Sequence, residues 1–239
     1  MVIPEWHKIA HFFKDSGGSL MELLYPRVCV VCGDSLVKQE IYLCSACLAD
    51  FPLADQDYGN YEDVLARFEE NCRPKYLYSL FYYNKYSEYK NLIYLIKYHS
   101  HKKLGAFLGE MLGERIKDIC QADCIIPVPL HKKRERKRGF NQANEIASGM
   151  SKILGIEIYN DVIFRVRNNV SQTGKNAGER LKNTENIFEL RHPEKIRGRH
   201  VLLLDDVITT GATIGSCLQE LAKAGDVCFS LGCLAQTAD

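Results

Sequence analysis

Val201-Leu202-Leu203-Leu204-Asp205-Asp206-Val207-Ile208-Thr209-Thr210-Gly211-Ala212-Thr213 is the stretch on which the reading of the fold turns. Four aliphatic residues run without a polar interruption, the pattern of a strand covered on both faces in a parallel sheet. The run meets two adjacent carboxylates, and a short turn of Thr, Gly and Ala follows. Beyond it Ile214, Cys217, Leu218, Leu221 and Ala222 recur at helical spacing. The order is strand, loop, helix, with the loop at the carboxyl end of the strand, where open α/β sheets bind ligands. Small residues at 209–213 let backbone N–H groups wrap a phosphate, and the start of the helix adds a favourable field. Asp205 and Asp206 would repel a bare phosphate. Carboxylates accept hydrogen bonds from hydroxyls, so the pair suits the diol of a ribose whose 5′-phosphate enters the loop. Neither G-x-G-x-x-G nor Gly-Lys-Ser/Thr occurs here, which argues against dinucleotide and Walker sites.

The stretch resembles the phosphoribosyl diphosphate (PRPP) loop of type I phosphoribosyltransferases: a hydrophobic strand, two acids and a T-T-G-A/x-T turn. The competing reading is a buried strand followed by an acidic helix cap.

Working outward, the 239 residues suffice for one large or two unequal domains. A net charge of +1 excludes a global field for nucleic acid, so such binding needs a local patch. No apolar run approaches membrane-spanning length and the amino terminus lacks signal-peptide character, so the expectation is a cytoplasmic protein without a membrane span. Of ten cysteines, four form Cys29-x2-Cys32 and Cys44-x2-Cys47. Two thiolate pairs on tight turns close a tetrahedral Zn²⁺ site, with no open position for catalysis. Two disulfides are the alternative and require an oxidising compartment. The module is too small to bury a core of its own, so a structural metal is expected to hold it.

The expected organisation is a helical segment at 1–24, a zinc ribbon at 25–52, an acidic linker at 53–75 with a helix around 61–72, and one α/β domain at 76–239. In that domain Tyr76–Tyr83 reads as a strand, Tyr86–Tyr98 as a helix, and a second helix carries Gly105, Gly109 and Gly113 for close packing. A strand and turn at Cys124–Leu130 lead into His131-Lys132-Lys133-Arg134-Glu135-Arg136-Lys137-Arg138, in which seven of eight residues are basic or histidine. This run reads as a loop suited to pyrophosphate, to a DNA backbone, or to solvent alone. Residues 171–183 are polar and lack an apolar period, which predicts a mobile segment. Its Lys175, Arg180 and Lys182 are candidates for phosphate contact.

The ribbon, the PVP strand, a basic run ending R-G-F-N-Q (138–142), a Q-T-G-x-x-x-x-E-R-x-x-N segment (172–183) and the acidic loop follow one another in this order. Together they resemble the competence protein F (ComF) family of bacterial phosphoribosyltransferase-like proteins. The resemblance implies a type I phosphoribosyltransferase fold, an α/β fold with a Rossmann-like parallel sheet, behind a four-cysteine ribbon. It implies zinc on Cys29, Cys32, Cys44 and Cys47, and ribose on Asp205 and Asp206, the candidate catalytic pair. The 5′-phosphate would lie on Thr209, Thr210, Gly211, Ala212 and Thr213. His131, Lys132, Arg138, Lys175 and Arg180 are the candidates for pyrophosphate. A role in uptake of single-stranded DNA during transformation is also implied, with DNA-uptake proteins as partners. Two functions stand side by side. One is a transferase using Mg²⁺ and PRPP on an unknown acceptor; the other is a DNA-uptake module whose phosphoribosyl pocket is regulatory or vestigial.

Overall fold

The structure, a computed structural model, describes residues 26–54, 65–84, 86–98, 101–167 and 187–237. The expectations for 1–24 and for Lys175, Arg180 and the rest of 171–183 lie outside the described residues. In chain order the elements are α1 (Ser45–Ala49), β1 (Leu77–Tyr83), α2 (Lys90–Tyr98), α3 (Lys102–Ile116), β2 (Cys124–Pro127), α4 (Lys132–Arg138) and α5 (Gln142–Leu154). There follow β3 (Glu157–Ile158), β4 (Ile163–Arg165), β5 (Phe188–Leu190), β6 (His200–Ile208), α6 (Ala212–Ala222) and β7 (Cys228–Thr237).

The run at 201–204 lies within β6, the central strand of a five-stranded sheet ordered β1-β7-β6-β2-β3, with every pairing parallel. Leu202 and Leu204 face a core shared with α2, α3 and α5, while Val201 and Leu203 face a second core closed by α6 and β4–β5. Burial on both faces explains why residues 201–204 are all aliphatic, the only polar residue before Asp205 being the partly buried His200 at the start of the strand. A parallel sheet needs helical crossovers that cover it, and the helices supply that cover.

The tightest helix contact is between α3 and α5. A Cβ on Gly149 would overlap the Ala106 carbonyl, and one on Gly109 would overlap the Ile146 carbonyl. The glycines at this crossing therefore let two backbones touch. The expected role holds for Gly109, and Gly149 supplies the other half from α5.

The ribbon shares the first core. Phe51 packs edge-on against Phe81 and Tyr89, with ring centroids 5.4 and 5.2 Å away, and Tyr42 meets Phe107 at 5.3 Å. The Tyr89 hydroxyl donates to the Cys47 carbonyl at 2.7 Å. From the segment after the ribbon, the Ala54 N–H donates to the Leu80 carbonyl, and buried Phe68 lies against α6.

The basic run differs from expectation: it is helix α4, not a loop. The His131 ring accepts the Lys133 N–H at 3.3 Å and caps the start, and Gly139 stops the helix at φ +83°. Lys, Arg and Glu are good helix formers, so between those two caps the run has a local reason to wind.

Candidate functional site

The site begins where the two sides of β6 part company. On one side, pairing with β2 ends at Pro127↔Leu204, and after one further bond, Val128 N–H to Leu204 carbonyl at 2.8 Å, the chain turns away at Pro129. On the other side, pairing with β7 continues to Ile208↔Gln236. Asp205 and Asp206 therefore stand beside a notch in the sheet, within the strand rather than after it.

Adjacent strand residues point to opposite faces, and the two acids have different surroundings. Asp206 is 6% exposed; its Oδ1 lies 3.1 Å from Lys97 Nζ on α2, and its Oδ2 accepts from Gln142 Nε2 on α5 at 3.0 Å. Asp205 is half-buried on the side of β4 and α6, and its Oδ1 accepts the Asp206 N–H at 2.8 Å. Burial and then repulsion from Asp206 push the Asp205 carboxyl up to about 7, against the pull of that N–H, Lys97 and Arg165. One acid is thus held by a cation, and the other is poised to gain or lose a proton near neutrality.

After Ile208 the chain enters the turn. Thr209, Thr210, Ala212 and Thr213 are exposed. Gly211, at φ +75°, precedes α6 and offers no side-chain cap. That left-handed conformation favours glycine, and the first N–H groups of α6 are left for an anion or solvent. Phe68 supports the loop from behind: a Cβ on Gly211 would lie 3.2 Å from its ring. Gln219 on α6 donates to Glu69 at 2.8 Å and fixes the same segment.

The R-G-F-N-Q run joins the basic helix to the acids. Gly139 ends α4, and Phe140 is buried beneath Lys102, whose Nζ is 5.4 Å from the ring centroid. Asn141 accepts the Ala143 N–H at 3.2 Å to cap α5, while its amide donates to the Val128 carbonyl at 3.0 Å. Gln142 then reaches Asp206. Arg138 turns outward, 5.5 Å from the centroid of the Tyr98 ring.

A cleft of about 480 Å³ opens between the start of α4 and β4–β5, with His131, Lys132, Asn141, Arg165 and Arg191 among its walls. Burial, followed by the charges of Arg165, Lys133, Arg134 and Lys132, lowers the His131 pKa. Two buried polar atoms beside the acids make no hydrogen bond among the described residues: the acceptor Gln142 Oε1 and the donor Arg165 Nε.

The structure thus brings Asp205, Asp206 and the 209–213 turn together at one end of the sheet, with His131 and Lys132 lining the cleft by β4–β5. Lys97, Arg165 and Phe68 belong to this surrounding and were not found by sequence reasoning. A lysine in an otherwise apolar helix face was the one available signal, at Lys97.

In the ribbon, the Sγ atoms of Cys29, Cys32, Cys44 and Cys47 all lie within 4.8 Å of one another, and Cys32 and Cys44 are 3.7 Å apart. Zinc–sulfur bonds of about 2.3 Å place the corners of a tetrahedron about 3.8 Å apart, so the cluster fits the metal. Burial alone would raise the Cys29 thiol, but N–H groups of Cys32, Cys44 and Val31 outweigh it and bring it down to about 7. All ten cysteines are free thiols, so the paired-disulfide alternative is not what the structure contains.

Comparison with known families agrees with both halves. The double zinc ribbon domain matches residues 20–58, and the phosphoribosyl transferase domain matches residues 136–238. The protein is of the class in which a structural zinc ribbon precedes a phosphoribosyltransferase-type α/β domain. Among curated relatives, DNA utilization protein YhgH of Escherichia coli O157:H7 is 31% identical over 152 residues, 61% of this chain and 66% of that protein, just under two thirds. Competence protein F of Haemophilus influenzae is 35% identical over 120 residues, covering 50% of this chain and 52% of the relative. Competence protein ComFC of Bacillus subtilis is 37% identical over 106 residues, covering 43% and 41%. The chain is thus similar to proteins named competence protein F and ComFC, over about half or less of the length of those relatives. Among the described residues no helix is long and apolar enough to cross a membrane.

Proposed function

We propose that this protein binds PRPP with Mg²⁺ at 205–213 and acts in the handling of DNA taken up during natural transformation. The observation that carries the first part is the succession at the notch of β6: two carboxylates, then a left-handed glycine turn, then a helix start without a side-chain cap. Carboxylates receive the ribose hydroxyls, and the turn receives the 5′-phosphate. Asp205, Asp206 and Gln142 Oε1 are oxygen donors suited to a hard cation arriving with the diphosphate. The names of the relatives support the second part.

In the transferase reading, the bond from the anomeric carbon to pyrophosphate breaks while a bond to the acceptor forms, and the acceptor gives up a proton. His131, Lys132 and Arg165 supply positive or hydrogen-bonding groups on the leaving-group side, where charge stabilisation counts most. Asp205, with its raised pKa, is the carboxyl able to hold a proton near pH 7.

A second reading, a DNA-uptake module with a regulatory or vestigial pocket, is favoured by the Lys97–Asp206 ion pair, which already occupies one of the two acids. Calorimetry with Mg²⁺-PRPP separates the readings, followed by a pyrophosphate-release screen over candidate acceptors. Binding with release identifies a transferase, and binding without release a sensor. No heat and no thermal shift at millimolar PRPP would leave the pocket vestigial.

A further inference from the structure

Helix α2 presents an aromatic face to solvent. Tyr94 and Tyr98 are 53% and 63% exposed, and their rings lie together with centroids 5.0 Å apart at an interplanar angle of 41°. They are four positions apart, so both stand on one side of the helix. Two large exposed rings placed together contribute little to the core, which α2 meets instead through Leu92, Ile93 and Ile96.

The neighbour of this pair is the most cationic element of the chain. Arg138, the last residue of α4, sits 5.5 Å from the centroid of Tyr98. Helix α4 holds six Lys or Arg and one Glu, and none of its residues is buried. The rest of the chain then has 25 Lys and Arg against 29 Asp and Glu, so positive charge is concentrated here while the remainder is net negative. A positive run beside a pair of exposed, mutually packed aromatic rings is what a sequence-tolerant single strand requires: cations for its phosphates and ring faces for its bases. An acidic protein partner would use the cations but has no bases to lay on the rings.

We infer that Tyr94 and Tyr98, with Arg138 at their edge, form a stacking platform on which the bases of single-stranded DNA lie while α4 follows its phosphates. The inference rests on the DNA-handling part of the proposed function and is independent of PRPP. The platform also borders the sugar-phosphate site, because Lys97 of the same helix pairs with Asp206.

The test is fluorescence anisotropy with a labelled oligothymidylate and an abasic oligodeoxyribose phosphate of equal length, each titrated at several salt concentrations. Wild type should bind the oligothymidylate about tenfold or more tightly than the abasic strand, since stacking contributes on the order of 1–3 kcal/mol per base. The double substitution Tyr94→Ala with Tyr98→Ala should remove that preference, with binding of the abasic strand, the salt slope and the thermal unfolding unchanged. Changing Lys133, Arg136 and Lys137 to Ala should instead weaken both strands and flatten the slope by about 0.7 for each lost phosphate contact. If the tyrosine variant binds oligothymidylate as wild type does while the α4 variant loses it, the DNA reading stands and the platform is wrong. No binding by wild type overturns both. Equal binding of polyglutamate with the same dependence on the tyrosines would assign the face to an acidic protein partner and overturn the inference.

Discussion

Replacing Asp205 by Asn should stabilise the protein at pH 8 and do little at pH 4.5. The Asp205 carboxyl is pushed up to about 7 by burial and by the neighbouring Asp206 carboxylate. In the unfolded chain it titrates near about 4. Between those values the folded state holds a proton that the unfolded state has released, so stability falls as pH rises through this window and stays low above it. The full difference corresponds to about 4 kcal/mol, and solvent reaching a half-buried carboxylate lowers this to about 2 kcal/mol. Asn keeps the shape and still accepts the Asp206 N–H through its oxygen, but it carries no charge to desolvate. Urea denaturation of wild type and Asp205→Asn at both pH values isolates the effect, because the zinc-site thiols titrate alike in the two proteins. A variant less stable than wild type at pH 8, or a stability difference independent of pH, would refute the reasoning. The same substitution should weaken PRPP, since a charged acceptor for a ribose hydroxyl becomes neutral, at about 1–3 kcal/mol. Stability gained and binding lost together would mark Asp205 as a residue kept for its site.

Two further outcomes follow from the geometry. Cys44→Ser should lower zinc content below one per chain and destabilise the ribbon and the core it shares with Phe51 and Phe81, as read by metal analysis and thermal unfolding; full zinc occupancy in the variant would exclude the four-thiolate site. Gly149→Ala should cost about 3 kcal/mol or more by forcing α3 and α5 apart, whereas Gly105→Ala, whose new Cβ meets the Glu145 Cβ at 3.2 Å, should stay within about 1 kcal/mol of wild type. Thermal melts of the pair check the contrast, and equal shifts would contradict the packing.

What could be read in the chain was local. A four-residue aliphatic run ending at Asp205 announces a strand covered on both faces, because burial leaves no place for a polar side chain before the ligand end. Gly211 follows from the need for a left-handed turn after it, and the four cysteines from the spacing of metal ligands. Helix α4 was missed because charge dominated the reading of 131–138, although the caps at His131 and Gly139 were in view. The partners of the acids were not legible, since the one local signal, a lysine on the face of α2 at Lys97, does not say what it meets. Lys97 is 109 positions from Asp206, and Gln142 is 64; no periodicity relates them. Their meeting depends on the strand order β1-β7-β6-β2-β3, which is selected by the burial of whole sheet faces rather than by any single segment. Likewise Tyr98 is an unremarkable helix residue until the glycine-mediated approach of α3 and α5 and the turn at Gly139 bring Arg138 to its ring. The sequence by itself determined which residue types stand at the strand ends and turns, since these depend on neighbours in the chain. Only tertiary structure decided which acid is paired, which is proton-poised and which aromatic face meets the cations, because those properties arise between side chains that share space but not sequence.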